Sequence, residues 1–132
     1  MRKLNQTAKK VFERLTEGLH EVGDHRKVAN AEHFMPVCVE VIDQLPAGRV
    51  VSLAHYFEQH GDLCCDPDVT FLVAADGDVY PLTFQQAIPP IYTAAVECDE
   101  TGPVRIRPGA QRELVSFANQ WMKNIHAQQF RQ

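Results

Sequence analysis

The sequence predicts an α+β fold, in which an antiparallel sheet of about five or six strands carries N- and C-terminal amphipathic helices packed on one face. Three observations lead to this prediction. Apolar residues recur at helical spacing near both ends, the segments between alternate with a period of two, and an Asp-Gly pair separates two such segments. The 132 residues fit a single domain, 1–132, that can bury its own core.

The first predicted element is an amphipathic helix over residues 4–22. Its apolar residues lie three or four positions apart, which places them on one face; they are Leu4, Ala8, Val11, Phe12, Leu15, Leu19 and Val22. Gly23 is a suitable end, because glycine readily adopts the left-handed conformation at a helix C terminus. Residues 24–35 show no clear period and are interpreted as a connection.

Two strands are predicted next, over residues 36–45 and 50–58, with a turn at 45–48 between them. The alternation of the first strand places three valines on one face: Val37, Val39 and Val41. In the second strand, His55 falls on the apolar face.

The Asp76-Gly77 pair predicts a two-residue hairpin turn, because both positions of such a turn favour positive φ. Pairing outward from it places large apolar residues opposite one another on the core face: Val73 with Tyr80, Phe71 with Leu82, and Val69 with Phe84. Pro81 lacks an N–H donor, so its strand must be an edge or have a neighbour that stops short of it.

The last elements are a strand over residues 91–98, a turn at 99–102, a strand over 104–107 and a second amphipathic helix. Pro108 marks the start of this helix, since proline is tolerated at a first helical position. Its apolar stripe consists of Leu114, Phe117, Ala118, Trp121, Met122 and Ile125.

Charge is strongly segregated along the chain. Residues 1–27 carry a net charge of +3, residues 28–101 carry −11, and residues 102–132 carry +4, for a total of −4. One interpretation is that basic terminal helices pack around an acidic sheet. The other is that one of these surfaces meets a charged partner.

The sequence offers little evidence for a membrane, a secretory route or a structural metal. No apolar run approaches the length needed to span a bilayer, and the basic start leads into an amphipathic segment rather than the apolar core of a signal peptide. The four cysteines form neither a CxxC pair nor a zinc-finger spacing: Cys38, Cys64, Cys65 and Cys98. We therefore expect a cytoplasmic protein with reduced thiols, no cofactor and no membrane partner.

Chemically versatile side chains concentrate between residues 50 and 71. The candidate binding residues are His55, Tyr56, Gln59, His60, Asp62, Asp66 and Asp68. They include ligands for divalent cations, but their spacing matches no defined metal loop, and along a strand His55 and His60 point to opposite faces. The structural alternative is that the acids cap turns and His55 is a hydrogen-bonded core residue.

This stretch also carries a recognisable motif, H-Y-x-x-Q-x-G-D-x-x-x-D-P, which here runs from His55 to Pro67. With the segment FMPVCVEVI and the C-terminal VRIRPGAQRELVSFANQWMKN, it resembles a family of small uncharacterised proteins carried on bacterial plasmids and integrative elements. The family pattern has asparagine before Gly61 and glutamate after Pro67, where this chain has His60 and Asp68. The resemblance implies a bacterial mobile-element setting and no particular activity.

We expect a small accessory protein that acts as a macromolecular binding module, with a protein partner for its acidic middle. Nucleic acid is the less favoured partner, and its candidate contacts are Arg105, Arg107, Arg112 and Lys123. The alternative function is a metal-assisted hydrolase or nuclease centred on His55, Asp62 and Asp66.

Overall fold

The computed structural model describes residues 1–131 and has an α+β fold. In this part of the chain, helix α1 spans Gln6–Thr16, helix α2 spans Pro108–Ile125, and a π-helical turn follows at His126–Phe130. The strands are β1 His25–Val28, β2 Val37–Leu45, β3 Gly48–Gln59, β4 Asp62–Ala74, β5 Val79–Gln86, β6 Ile91–Ala94, β7 Val96–Asp99 and β8 Gly102–Ile106. Strands β1 to β6 form one antiparallel sheet in sequence order, and β7 and β8 form a separate two-stranded sheet.

The first helix is shorter than the periodicity predicts. Asn5 caps its start, with Oδ1 accepting a hydrogen bond from the Ala8 N–H at 2.8 Å. It ends at Thr16, whose hydroxyl donates back to the Phe12 carbonyl oxygen. Leu4 and Leu19 are buried outside the helix, whereas Val22 is exposed. The apolar period therefore continues past the helix, because residues flanking it also reach the core.

The segment predicted as a connection contains the edge strand β1. It pairs with β2 from His25 opposite Glu40 to Val28 opposite Val37. Of its four residues only Val28 is buried. The segment carries no alternating pattern because backbone pairing at the sheet edge, rather than burial of one face, holds it in place.

The hairpin between β4 and β5 closes differently from the prediction. The Gly77 N–H donates to the Ala74 carbonyl oxygen and the Ala74 N–H donates to the Asp78 carbonyl oxygen, both at 2.9 Å. The loop therefore has three residues, 75–77, and Gly77 alone has a positive φ, +91°. A turn followed by one left-handed glycine is the usual geometry for a three-residue hairpin loop.

This loop and a bulge near Leu82 change the predicted register. Val69 does pair with Phe84, but Phe71 lies opposite Pro81 and Val73 opposite Val79. Tyr80 and Leu82 consequently belong to a second apolar cluster, away from the main core. The predicted six-residue core face was therefore wrong for these two residues, since a bulge reverses the side on which the following residues fall.

The prediction for Pro81 is confirmed in one of its two forms. Strand β5 has neighbours on both sides, but its pairing with β6 runs only from Thr83 to Gln86. Pro81 therefore faces no partner on the β6 side, and its missing N–H leaves no ladder hydrogen bond unmade there.

The segment predicted as one strand over residues 91–98 is divided between two sheets. Strand β6 ends at Ala94, Ala95 is fully buried, and β7 then pairs with β8. The β7–β8 hairpin contributes Val96 to the second apolar cluster, whose other buried members are Leu45, Val50, Leu72 and Leu82. This redirection depends on tertiary contacts, so the strand pattern alone did not reveal it.

The main core contains residues from both helices and from one side of the sheet. Helix α1 contributes Ala8, Val11, Phe12 and Leu15, and α2 contributes Leu114, Ala118, Trp121, Met122 and Ile125. The strands contribute alternate residues, among them Val39, Val51, Leu53, Val69 and Phe71, and we call this side of the sheet the core face. Helix α2 begins at Pro108 as predicted. No helix in the described residues is both long enough and apolar enough to cross a membrane.

Candidate functional site

Most of the motif from His55 to Pro67 lies on an arm that extends beyond the sheet. Strand β2 pairs with β3 only as far as Ala54, and β5 pairs with β4 only as far as Asp68. The distal parts of β3 and β4 pair with each other up to Gln59 and Asp62. A two-residue turn joins them, in which His60 has φ +54° and Gly61 has φ +84°. We call residues 55–67 the hairpin arm.

His55, the first candidate residue, is buried in the core. It is 6% exposed, and its Nδ1 lies 3.0 Å from the carbonyl oxygen of Pro36. Its ring meets that of Trp121 edge-on, with 5.4 Å between centroids. This is the arrangement of a hydrogen-bonded core histidine, which anchors α2 to the base of the arm.

Four other arm candidates are exposed. Gln59, His60, Asp62 and Asp66 lie at or near the tip, and neither the Asp62 nor the Asp66 carboxylate accepts a hydrogen bond from the described chain. Within residues 1–131, no three His, Cys, Asp or Glu side chains gather in a way that could hold a metal ion. The structure therefore does not bring His55, Asp62 and Asp66 together, and the two acids do not cap turns either.

Tyr56 and Asp68 belong to the side of the sheet opposite the core face. We call this the outer face, and its central residues are Glu40, Ser52, Asp68, Thr70 and Thr83. The Ser52 hydroxyl donates to Asp68 Oδ1 at 2.7 Å, and the Thr70 and Thr83 hydroxyls hydrogen-bond each other. The outer face is thus polar along the middle of four adjacent strands, β2 to β5.

Burial shifts the titration of the outer-face groups. Loss of solvent raises the pKa of Asp68, the Glu40 charge adds to that rise, and the Ser52 hydrogen bond partly opposes it. Burial likewise raises the pKa of Tyr56, and the Asp68 charge raises it further. The pKa of the Cys65 thiol is also raised, by burial first and then by Asp68. A raised thiol pKa disfavours the thiolate, which is the nucleophilic form.

A cleft lies on the outer face beneath the β7–β8 hairpin. It has a volume of about 660 Å³, within the range of ligand pockets. Apolar side chains of the second cluster form its floor: Leu45, Val50, Leu82 and Val96. Its walls add two exposed apolar side chains, Ile42, which is 42% exposed, and Tyr92, which is 65% exposed. We call it the acidic cleft because of its four carboxylates: Asp43, Glu97, Asp99 and Glu100.

The four carboxylates differ in how firmly they are held. Asp99 Oδ1 accepts hydrogen bonds from the Thr101 N–H and hydroxyl, which lowers the pKa of Asp99. Glu97 Oε1 forms an ion pair with Arg107 Nη1 at 3.4 Å. Asp43 accepts from the Gln44 N–H, and Glu100 makes no hydrogen bond or ion pair with the described residues. No Lys or Arg lines the cleft.

Sequence reasoning did not single out these cleft residues. The acids were counted in the −11 of residues 28–101, but all four lie outside the 50–71 stretch. The available signal was the run from Glu97 to Glu100, which has three acids in four positions. Its relation to Asp43 required knowledge of the β7–β8 hairpin position, which the sequence pattern did not supply.

The four predicted nucleic-acid contacts do not form one surface. Arg105 and Arg112 are exposed, whereas Arg107 donates to the Ala94 carbonyl oxygen at 2.6 Å and is half-buried. Lys123 lies eleven residues beyond Arg112 on α2, about 16 Å along the helix axis. Lys123 instead lines a separate cleft beside α1.

The comparisons with known proteins place the chain in a family. No curated protein and no solved structure shows significant similarity to it. Residues 6–131, however, match the family described as a domain of unknown function, DUF6908. Since this match covers nearly the whole of the 132 residues, the chain belongs to the DUF6908 family.

Proposed function

We propose that this protein is a small accessory protein of a bacterial mobile genetic element, and that it acts in the cytoplasm as a macromolecular interaction module. Its acidic cleft binds a basic segment of a protein partner. The observation that carries this proposal is the cleft itself, which combines four carboxylates with an apolar floor and has no basic residue in its lining. The mobile-element setting rests on the sequence motif from His55 to Pro67.

The architecture supports binding on this side of the molecule. Buried residues of α1 and α2 share one core cluster with the core face of the sheet. From this we infer that both amphipathic helices form one layer on that face. The opposite, outer face is then covered only in part, by the β7–β8 hairpin, and remains accessible to a partner along its polar middle.

The distribution of acids also supports it. Of the twelve acids in residues 28–101, six belong to the outer face or the acidic cleft: Glu40, Asp43, Asp68, Glu97, Asp99 and Glu100. Asp78 is differently engaged, because it pairs with Lys3 at 3.2 Å and with Lys9 at 3.8 Å. The negative electrostatic potential that a partner would meet is therefore concentrated on the outer face, where it can steer a cationic ligand.

The cleft suits lysine and arginine side chains in particular. Their aliphatic stems can cover apolar surface while the charged end stays near water and carboxylates. Here Ile42 and Tyr92 supply exposed apolar surface, and Asp43 and Glu100 supply exposed carboxylates in the same cleft. A basic segment with interspersed apolar residues therefore matches both parts of the cleft.

The test uses a fluorescent peptide of alternating lysine and leucine, measured by anisotropy at low salt. The variant D43N/E100Q removes two cleft charges, and the asparagine retains an oxygen for the Gln44 N–H. We expect affinity to fall about tenfold, because exposed charge pairs contribute up to about 1 kcal/mol each. Wild-type affinity should also weaken as salt rises.

The matched control is D62N/D66N, which removes two exposed charges from the hairpin arm. We expect it to change the affinity by less than about twofold, since it leaves the cleft intact and alters only the overall charge. Equal losses in the two variants would show attraction by net charge alone. Tight binding of the protein to DNA in a low-salt gel shift, lost in R105Q/R112Q, would contradict the preference for a protein partner.

A further inference from the structure

A second cleft lies on the helix side of the molecule, between α1 and the C-terminal segment. Helix α1 and the C-terminal segment run side by side in the same direction. The Arg2 N–H donates a hydrogen bond to Gln111 Oε1, the Asn5 N–H donates to Asn119 Oδ1, and the Arg14 guanidinium lies over the Phe130 ring. The space between their exposed edges has a volume of about 490 Å³. It shares no lining residue with the acidic cleft.

This second cleft is strongly basic, and we call it the basic cleft. Four cationic side chains line it: Lys10, Arg14, Lys123 and Arg131. Two further donors, Thr7 and His126, complete its polar lining, and no carboxylate is among its lining residues. In a protein with a net charge of −4, this is a local reversal of sign.

Among residues 1–131, no carboxylate neutralises the four cations. In the described chain none of them lies within 4.0 Å of a carboxylate, although Lys3, Lys9 and Arg107 do. Only Arg14 has a defined side-chain contact, with its guanidinium 4.0 Å from the centroid of the Phe130 ring. Like charges gathered in one concavity repel one another, and a bound anion would remove that cost.

We infer that the basic cleft binds the phosphate groups of a small organic phosphate of about mononucleotide size. Its volume falls within the usual range for small-molecule sites. Lysine and arginine together supply point charges and a planar donor fork, the two ways in which proteins hold phosphate oxygens. Val11 and the hydroxyl of Thr7 offer an apolar contact and a neutral donor beside them.

The shape of the site favours a small ligand over duplex DNA. A duplex presents phosphates to an extended surface or to an element that enters a groove. Here the cations line a concavity, and the other exposed cations, Arg105 and Arg112, are not among its lining residues. Single-stranded nucleic acid could still present a terminal phosphate, so the experiment includes it as a separate ligand.

The experiment is calorimetric titration of the full chain with ADP, pyrophosphate, adenosine and a short single-stranded oligonucleotide. The test variant is K10Q/K123Q, because both lysines are exposed and make no ion pair. Arg14 is left in place, since its contact with Phe130 has a packing role. We expect ADP and pyrophosphate to bind, adenosine not to bind, and the variant to weaken ADP binding by at least about tenfold.

The control variant is R105Q/R112Q, which removes the same charge from exposed sites outside the cleft. We expect it to change ADP affinity by less than about twofold and both variants to keep the wild-type thermal midpoint. Absence of ADP and pyrophosphate binding at millimolar concentration overturns the inference, as does an equal loss in both variants. Binding of the oligonucleotide alone, lost in K10Q/K123Q, would assign the cleft to nucleic acid and overturn the small-ligand assignment.

Discussion

The two sides of the central strands are built from the same backbone but differ in chemistry. On the core face, alternate residues are apolar and almost fully buried, as in Leu53 and Phe71. On the outer face, the alternating positions carry Ser52, Asp68 and Thr70, which are half-buried and hydrogen-bonded to neighbouring strands. One side of the sheet is therefore a closed core, whereas the other is a polar surface with an open cleft at one end.

This difference sets how much each face contributes to stability. A closed apolar face stabilises the fold through area removed from water. Half-buried polar groups add less stability, because folding replaces their hydrogen bonds to water with bonds to protein. The raised pKa values of Asp68 and Tyr56 show that burial of the outer face even opposes ionisation there. The outer face is thus the side on which polar side chains remain partly exposed to solvent.

The largest expected effect compares two leucines, one on each face. Leu53→Ala opens a cavity in the main core, where no solvent reaches, whereas Leu82→Ala removes a side chain that borders the acidic cleft. We expect losses of about 4 kcal/mol and about 2 kcal/mol, from the two ends of the usual range. Denaturant unfolding measures both free energies. Equal losses would mean that the outer face is as closed as the core face.

A smaller effect is expected in the hairpin arm, which lies beyond both faces. His60 has φ +54°, and asparagine adopts this conformation more readily than histidine. We expect His60→Asn to raise the free energy of unfolding by about 0.5 kcal/mol. As a control, Gly61→Ala should lower the free energy of unfolding by about 1 kcal/mol, because a residue with a Cβ is strained at φ +84°. The added Cβ would meet no other atom, so a steric clash does not add to this loss. Destabilisation by His60→Asn would show that the imidazole makes a contact the turn needs.

The smallest expected change in the free energy of unfolding comes from the charge of Asp68. Because its pKa is raised in the folded state, the unfolded chain ionises first, and stability falls as pH rises from about 4 through the folded pKa. Asp68→Asn keeps an acceptor for Ser52 but does not ionise. We expect the variant and the wild type to have the same free energy of unfolding at low pH, and the variant to be more stable at neutral pH. Chemical denaturation at both pH values measures this difference. A wild-type advantage at neutral pH would contradict the burial of this carboxylate.

Local patterns predicted several elements correctly. The alternation of Val37, Val39 and Val41 predicts β2 and its buried face, and Pro108 predicts the start of α2. His55 likewise lies on the apolar side of β3, where the alternation places it. These predictions succeeded because each depends on neighbours along the chain. The candidate site was predicted less well: Asp68 and Tyr56 lie on the outer face, whereas Asp62 and Asp66 are exposed at the arm.

The sequence by itself determined the α+β class and the segregation of charge, because these follow from residue order alone. Only the tertiary structure decided where the register shifts and which charges meet. The three-residue loop at Gly77 and the bulge at Leu82 moved Tyr80 out of the core. The fold of the β7–β8 hairpin over the sheet made Asp43 and Glu100 lining residues of one cleft. The physical reason is that both outcomes depend on packing between residues far apart in sequence, which periodicity does not encode.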